Sequence, residues 1–345
     1  MKKFIYIFTF IALIFNACTK DFFLVDSLET NVKKTETISE DNSNKNNSSE
    51  NGSNENTSQQ NSPEPKSFIN VYQDSIYVYT LNSGLLYPLF KSAVTGKETN
   101  DEWGEEVWDS ITGVKIVGCI DARDFSTLKW NFRNLKNLDI SETNIIAYKG
   151  IYGTVEGYEY EYNANAIPLG AFFYWQSNFI REFPSELFDE GMPSLKHIKM
   201  PSNIKCIERN AFARAYNLED IEVPEGVVSI NMCAFRHCHS IKKMYIPKSV
   251  QTIGFYAFTD MNSLTEIYFK SKVLPNYDKT AFGFYYDGTN TDYFNEMWYV
   301  RGYIMEGDNT YLKYNDVTLY VPKGCKNVYK EWDIYFKNVE EYGKS

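Results

Sequence analysis

The stretch LKHIKMPSNIKCIERNAFARAYN (195–217) is followed directly by LEDIEVPEGVVSINMCAFRHCHS (218–240) and IKKMYIPKSVQTIGFYAFTDMNS (241–263). These three blocks have the same length and carry the same residue types at several matching positions. Each carries a proline near its start, an isoleucine near its middle, and an Ala-Phe pair after that isoleucine. Self-similarity at a fixed period of this size is the mark of a repeat architecture, so the three blocks predict the fold.

The middle block shows what one repeat does. Ile221, Glu222 and Val223 alternate apolar and polar, as in a strand with one buried face, and Pro224 ends that strand. A second short apolar stretch, 227–230, turns the chain. The pair Ala234 and Phe235 then adds a small and a large side chain to the interior of the repeat. One coil of this kind cannot bury its own apolar edge, whereas stacked coils share a core. We therefore expect a solenoid with repeats of about 23 residues, built mainly from short parallel β-strands with turns and few short helices.

Weaker copies extend the array in both directions. Segments starting at Ile111 and Leu135 carry strand patterns, Leu264 opens a further block, and VTLYVPKGCKNVYKEW ends the array with one more strand-proline turn. The repeat domain is thus expected to span 111–345. We also expect an N-terminal cap over 67–110, inserts at about 147–166 and 283–315, and a C-terminal cap.

The N-terminus has the form of an export signal. Lys2 and Lys3 precede an apolar run of about 12 residues, which as a helix reaches roughly 18 Å and cannot cross a bilayer core of about 30 Å. Residues 1–17 are therefore expected to be a signal peptide. Cys18 follows a small residue and resembles the lipidation site of bacterial lipoproteins.

Residues 18–66 are expected to form a lipidated cysteine followed by an unstructured linker. The segment SEDNSNKNNSSENGSNENTSQQNSPEPKS (39–67) is nearly free of apolar residues, so burial cannot offset the entropy lost on ordering. A tether of this length would hold the repeat domain away from the membrane to which the lipid is anchored.

The repeat pattern resembles a known family. The motif L-x-x-I-x-x-P…V-x-x-I-x-x-x-A-F is similar to the BspA-like leucine-rich repeats of surface lipoproteins from Bacteroidota. The segment ITGVKIVGCIDARDFSTLKWNFRNLKNLDIS and the ending LYVPKGCKNVYKEW also resemble that family. The resemblance implies a lipid-anchored outer-membrane protein that faces the cell exterior and binds other molecules. It implies no catalytic residues.

The stretch NMCAFRHCHS (231–240) concentrates cysteine and histidine but does not predict a metal or catalytic site. Cys238 occupies a column shared with Ala215 and Met261, so it is expected to be a buried apolar residue. His237 and His239 flank it and are expected to face solvent. The buried thiol and the two imidazoles would then point apart, whereas zinc requires ligands that converge on one point. We expect no catalysis, no cofactor and no metal. The cysteines are expected to be thiols, although Cys206 and Cys233 could meet across one repeat.

Two surfaces are candidates for binding. Outward strand positions form columns whose charges mostly alternate in sign, which predicts pairing across the sheet. Tyrosines of this face and aromatic residues of the two inserts could supply contact surface, because such side chains dominate interfaces. The candidate residues are Tyr152, Tyr158, Tyr160, Tyr245, Tyr268, Tyr285, Tyr286, Trp298 and Tyr299.

Composition narrows the class of partner. The formal net charge is −10, and no cluster of Lys and Arg is present to neutralise phosphates, so nucleic acid is not expected as a partner. The expected function is a cell-surface lipoprotein that binds a protein of a host or neighbouring cell without catalysis. The alternative is a glycan-capturing surface protein that uses its aromatic insert loops.

Overall fold

The computed structural model describes residues 36–38, 66–94, 105–155, 157–174, 191–283, 285–286, 305–306, 309–311 and 314–343. Cys18, Trp298 and Tyr299 lie outside these ranges. Strand β1 lies within 18–66, the range for which composition predicted no ordered structure.

Short strands outnumber helices in the described residues, as expected for a repeat fold. The strands are β1 (Glu36–Ile38), β2 (Ser67–Val71), β3 (Ser75–Thr80), β4 (Gly113–Ile120), β5 (Asn137–Ile145), β6 (Tyr148–Gly150), β7 (Tyr160–Tyr162), β8 (Ala166–Ile167), β9 (His197–Lys199), β10 (Cys206–Ile207), β11 (Asp220–Ile221), β12 (Ser229–Ile230), β13 (Lys243–Ile246), β14 (Thr252–Ile253), β15 (Glu266–Phe269), β16 (Asn276–Tyr277), β17 (Tyr285–Tyr286), β18 (Met305–Glu306), β19 (Asn309–Tyr311), β20 (Tyr314–Pro322) and β21 (Phe336–Tyr342). The helices are α1 (Leu86–Val94), α2 (Glu105–Ser110), α3 (Ala122–Asn131) and a 3₁₀ helix (Lys330–Ile334).

The repeats pair with one another in parallel. One sheet runs β16-β14-β12-β10-β8, and its register joins Cys206 to Ser229 and Ser229 to Thr252, positions 23 residues apart. A second row of strands is divided between a seven-stranded sheet, β1-β2-β3-β4-β5-β9-β11, and a four-stranded sheet, β13-β15-β20-β21. Antiparallel pairing occurs at β1-β2-β3, in the β6-β7 hairpin and in β17-β19-β18.

The Ala-Phe column forms the centre of the core. Phe212, Phe235 and Phe258 are fully buried, and their rings stack at 5.3 and 5.7 Å between centroids with planes 2° and 6° apart. Phe172 and Phe282 continue the stack at its two ends. Each central Phe N–H also donates to the alanine carbonyl of the next repeat, as Phe235 does to Ala257 at 2.8 Å. Side-chain stacking and backbone bonding therefore fix the same register.

Each central repeat turns through two left-handed residues. The φ angles of Asn210, Cys233 and Tyr256 are 55°, 56° and 54°. Four positions later, Arg214, His237 and Asp260 are also left-handed, with φ of 58°, 62° and 59°. Non-glycine residues enter this region at a cost, so its recurrence shows that the turns are imposed by the stack.

The N-terminal part is joined to the repeats through one buried carboxylate. Asp124 accepts hydrogen bonds from the N–H groups of Gly84 at 2.7 Å and Leu86 at 2.9 Å, at the start of α1. It also forms a capping box with Asp121 at the start of α3. Burial, followed by the nearby Asp121, raises the pKa of Asp124 to about 6. Strand β3 then pairs in parallel with β4, which opens the sheet of the repeats.

Gly254 leads to a prediction about packing between repeats. A Cβ at this position would lie 2.6 Å from the Met232 nitrogen and 2.8 Å from the Asn231 carbonyl carbon, both backbone atoms of the preceding repeat. We expect Gly254→Ala to lower the free energy of unfolding by about 1–2 kcal/mol, as overpacking does. Guanidinium denaturation measures the loss. Gly113→Ala is the control, because its nearest contact is the Ser75 Cβ at 3.3 Å. Equal losses in both variants would contradict the prediction.

No helix among the described residues has the length and apolar character needed to cross a membrane.

Candidate functional site

Charged side chains on the outward face of the strands pair between neighbouring repeats, which confirms the prediction from alternating columns. Lys196 Nζ lies 2.7 Å from Glu219 Oε1, and Lys243 Nζ lies 3.0 Å from Glu266 Oε1. The hydrogen bond from Lys196 lowers the pKa of Glu219, and the bond to Glu266 raises the pKa of Lys243. These pairs are exposed and screened by solvent, so they contribute little to stability.

Three tyrosines form a stacked row on the face of the four-stranded sheet. We call Tyr245, Tyr268 and Tyr320 the tyrosine ladder. The strand register places Tyr245 opposite Tyr268 and Tyr268 opposite Tyr320. The ring centroids are 4.8 and 4.4 Å apart, with planes 19° and 9° from parallel. The sequence predicted Tyr245 and Tyr268 as candidates, and the structure brings them together.

Stacking determines what the ladder presents to solvent. Each ring covers a face of its neighbour, so the ladder exposes mainly ring edges and hydroxyls. Tyr245, at the end of the row, is 44% exposed. The Tyr268 hydroxyl donates to Glu266 Oε2 at 2.7 Å, and partial burial followed by this bond raises the pKa of Tyr268. Tyr342 meets the Tyr268 ring edge-on at 5.5 Å. The result is a rigid aromatic surface with polar edges.

Tyr320 was absent from the candidates predicted from sequence, although a signal for it exists. Residues 245–247 read YIP and residues 320–322 read YVP, so Tyr320 lies before a strand-ending proline just as Tyr245 does. A long insert separates β15 from β20. The sequence period therefore breaks before Tyr320, while pairing in the structure continues across it.

The first insert presents exposed tyrosines on an anchored hairpin. Tyr158 and Tyr160 are 52% and 41% exposed, whereas Tyr152 is half-buried. Tyr162 is buried, and its hydroxyl accepts a hydrogen bond from the Val155 N–H at 2.9 Å. In the described residues no ring contact links Tyr158 or Tyr160 to the tyrosine ladder, so these are two separate surfaces.

Most of the second insert lies outside the described residues. Tyr285 and Tyr286 form β17, which pairs with β19, and their side chains are not described. Trp298 and Tyr299 remain candidates from sequence alone.

The cysteine and histidine stretch is part of the core and its turns. Cys238 is fully buried, as predicted, and its thiol donates to the Phe212 carbonyl at 3.1 Å, while burial raises its pKa. The described cysteines, including Cys206 and Cys233, are free thiols. No group of three or more potential metal ligands is clustered among the described residues.

The prediction that His237 faces solvent is wrong. His237 is buried, because the left-handed turn at φ 62° directs its imidazole along the stack, where Nδ1 lies 3.5 Å from Asp260 Oδ2. His239 is half-buried and packs on the Tyr216 ring at 4.9 Å. Burial, followed by Arg236 and other cationic neighbours, lowers the pKa of His237 to about 3.

The buried His237 predicts a pH-dependent stability. The pKa of His237 in the folded protein, about 3, lies below its ordinary value of 6.5. The stability that neutral His237 contributes is therefore complete above pH 6.5 and is lost as the pH falls from 6.5 towards 3. One proton corresponds to about 1.4 kcal/mol per pH unit, so wild type should lose about 2 kcal/mol from this residue between pH 7 and pH 5.

His237→Asn isolates this contribution, because asparagine tolerates the left-handed backbone and does not titrate. Urea denaturation at pH 7, 6 and 5 should give a shallower pH dependence for the variant than for wild type. Burial raises the pKa of Asp260, which acts with the opposite sign, but Asp260 is present in both proteins. Parallel pH curves for the two proteins would contradict the prediction.

A match to a family of repeats agrees with a repeat fold. Residues 181–302 match the family model described as BspA type Leucine rich repeat region, in six copies. The chain is also similar to a solved structure titled "The Crystal structure of Pneumococcal vaccine antigen PcpA", at 13% identity and a TM-score of 0.23. That match covers 69% of this chain and 63% of the PcpA chain. A search of curated proteins finds no match.

Proposed function

We propose that this protein is a cell-surface lipoprotein whose leucine-rich-repeat solenoid binds another protein without catalysing a reaction. The BspA-type repeats at 181–302 support a protein-binding repeat module. Stacked repeats offer extended surfaces, and large concave surfaces are what such proteins use for binding. The partner is a protein of a host or neighbouring cell, and binding results in adhesion.

The tyrosine ladder is the observation that carries the proposal. Its rings are preordered by stacking, so little side-chain entropy is lost when a partner covers them. Exposed edges and hydroxyls suit the mixed polar and apolar surface of a protein, and tyrosine is enriched among residues that dominate binding energy. The paired charges around the ladder, such as Lys243 with Glu266, form the polar rim expected of an interface.

A lipid anchor at Cys18 belongs to the same proposal. Residues 1–17 would be removed, Cys18 would carry the lipid, and the protein would be held at the outer membrane facing the exterior. Mass spectrometry of the mature N-terminus checks this step. An unmodified Cys18 would refute the anchor and leave the binding proposal to be tested separately.

Binding of the full chain to a panel of matrix and cell-surface proteins by biolayer interferometry tests the function. We expect saturable binding to at least one protein, weakened at least tenfold by Tyr245→Ala combined with Tyr268→Ala. The control is Tyr158→Ala combined with Tyr160→Ala, which removes two exposed tyrosines from the separate hairpin. Absence of binding to every protein, or equal binding by the ladder variant and wild type, would refute the proposal.

The alternative function is glycan capture by the aromatic insert loops. It is favoured by the exposed Tyr158 and Tyr160, whose hairpin projects aromatic side chains that the core does not use. Glycan binding lost in the hairpin double variant, or in Trp298→Ala combined with Tyr299→Ala, and retained in the ladder variant would support this alternative.

A further inference from the structure

A notch lies in the face of the seven-stranded sheet, away from the tyrosine ladder. Strand register places Ser75, Gly113, Asn137 and His197 side by side across β3, β4, β5 and β9. The next outward row contains Tyr77, Lys115, Asp139 and Lys199. Residues of both rows line one open cavity of about 430 Å³. This volume lies within the range of about 300–1,000 Å³ that ligand pockets occupy.

Gly113 forms part of the floor of the notch. Lacking a side chain, it leaves a low floor beside the small Ser75, while taller side chains rise around it. Tyr72 and Tyr77 also line the cavity, and Phe68 stacks on Tyr77 with ring centroids 6.0 Å apart without lining the notch. Tyr77 is therefore backed by Phe68 and forms a firm aromatic wall.

Charges around the notch are already paired. Lys115 Nζ lies 2.5 Å from Glu142 Oε1 and 3.8 Å from Asp139 Oδ2, and Lys199 Nζ lies 3.9 Å from the same Asp139 oxygen. The bond to Glu142 raises the pKa of Lys115. His197 faces Asp220 at 3.3 Å. A charged ligand would have to break these pairs, whereas a neutral ligand would not.

Uncharged hydrogen-bonding groups remain open within the notch. In the part of the chain that the structure describes, the side chains of Ser75 and Asn137 make no hydrogen bond to protein and reach solvent. The backbone of these central strands is committed to the sheet ladder on both sides, so an added peptide strand cannot pair here as it would at a sheet edge. A ligand must be recognised through side chains: an aromatic wall, a hydroxyl and an amide.

We propose that this notch binds a hexose unit of a neutral glycan. The apolar C–H face of the sugar lies against the Tyr77 ring. Its hydroxyls form hydrogen bonds with the side chains of Ser75 and Asn137, and with those of Lys115 and Asp139 in the adjacent row. This glycan site is separate from the tyrosine ladder and from the insert hairpin, so it does not depend on the proposed protein-binding function.

Isothermal titration of the full chain with cellotetraose, laminaritetraose and mannotetraose tests the proposal, with anionic tetragalacturonate as the charged counterpart. We expect at least one neutral tetrasaccharide to bind with a Kd on the order of 1 mM, as suits a shallow site. Tetragalacturonate should bind at least tenfold more weakly.

Two variants locate the site. Gly113→Leu fills the floor, and Asn137→Ala removes the amide without adding volume; each should weaken sugar binding at least tenfold with an unchanged circular dichroism spectrum. The ladder variant, Tyr245→Ala with Tyr268→Ala, should bind sugar as wild type does. The proposal is overturned if none of the three neutral sugars binds, if tetragalacturonate binds as tightly, or if Asn137→Ala binds as wild type does.

Discussion

Phe235→Ala should lower the free energy of unfolding by about 3–5 kcal/mol, the range measured when a large aromatic side chain is removed from a core. Phe235 is fully buried between Phe212 and Phe258, with centroid distances of 5.3 and 5.7 Å. Its removal takes away its own buried surface and one stacking face from each neighbour. Because repeats are held mainly by adjacent repeats, the damage should be concentrated in 195–263.

Urea denaturation gives the overall loss, and hydrogen exchange followed by mass spectrometry shows where protection falls. Two controls separate stacking from general sensitivity. Phe235→Leu keeps most of the volume and should lose less, while Tyr245→Ala removes an exposed ring and should stay within about 1 kcal/mol. Equal losses for Phe235→Ala and Tyr245→Ala would contradict the idea that the phenylalanine stack holds the repeats together.

The repeat was predictable because its residues act locally and identically. Pro224 and Phe235 recur at fixed spacing, and the structure pairs Ser229 with Thr252 at that spacing. The same reasoning placed Cys238 in the core. It failed at His237, because the left-handed turn that buries the imidazole is set by the stack, and nothing in the residue type requires it.

The candidate sites were harder to predict because they join segments distant in sequence. Tyr320 continues the tyrosine ladder only because β20 pairs with β15 across a long insert. The notch requires Ser75 of the N-terminal part to meet Gly113 and Asn137 in register, and Ser75 carries no repeat motif. Periodicity identifies strands that are alike, but it does not show which unlike strand pairs at the end of the array.

Lys129→Met should lower the free energy of unfolding by about 3 kcal/mol, the largest effect expected outside the phenylalanine stack. Lys129 is 1% exposed, and its ammonium donates to the carbonyls of Thr154 at 2.7 Å, Phe173 at 3.1 Å and Gly170 at 3.4 Å. Methionine keeps an unbranched chain of similar length but leaves these carbonyls without that donor. Hydrogen bonds to charged groups contribute about 1.5–3 kcal/mol each, and relief of the buried charge offsets part of the loss.

Lys149→Met is the matched control, because Lys149 lies in the insert that Lys129 contacts, its side chain is 64% exposed, and its Nζ lies 3.9 Å from Glu161 Oε2. An exposed pair of this kind contributes under about 1 kcal/mol, so the control should unfold close to wild type. Hydrogen exchange should show that Lys129→Met loses protection first in 147–174, where Lys129 ties the hairpin to the following turn. If protection fell equally along the chain, Lys129 would be an ordinary core residue. If neither variant changed stability, the buried ammonium would not be what anchors the insert, and the orientation of Tyr158 and Tyr160 would have to depend on the Tyr162 contacts alone.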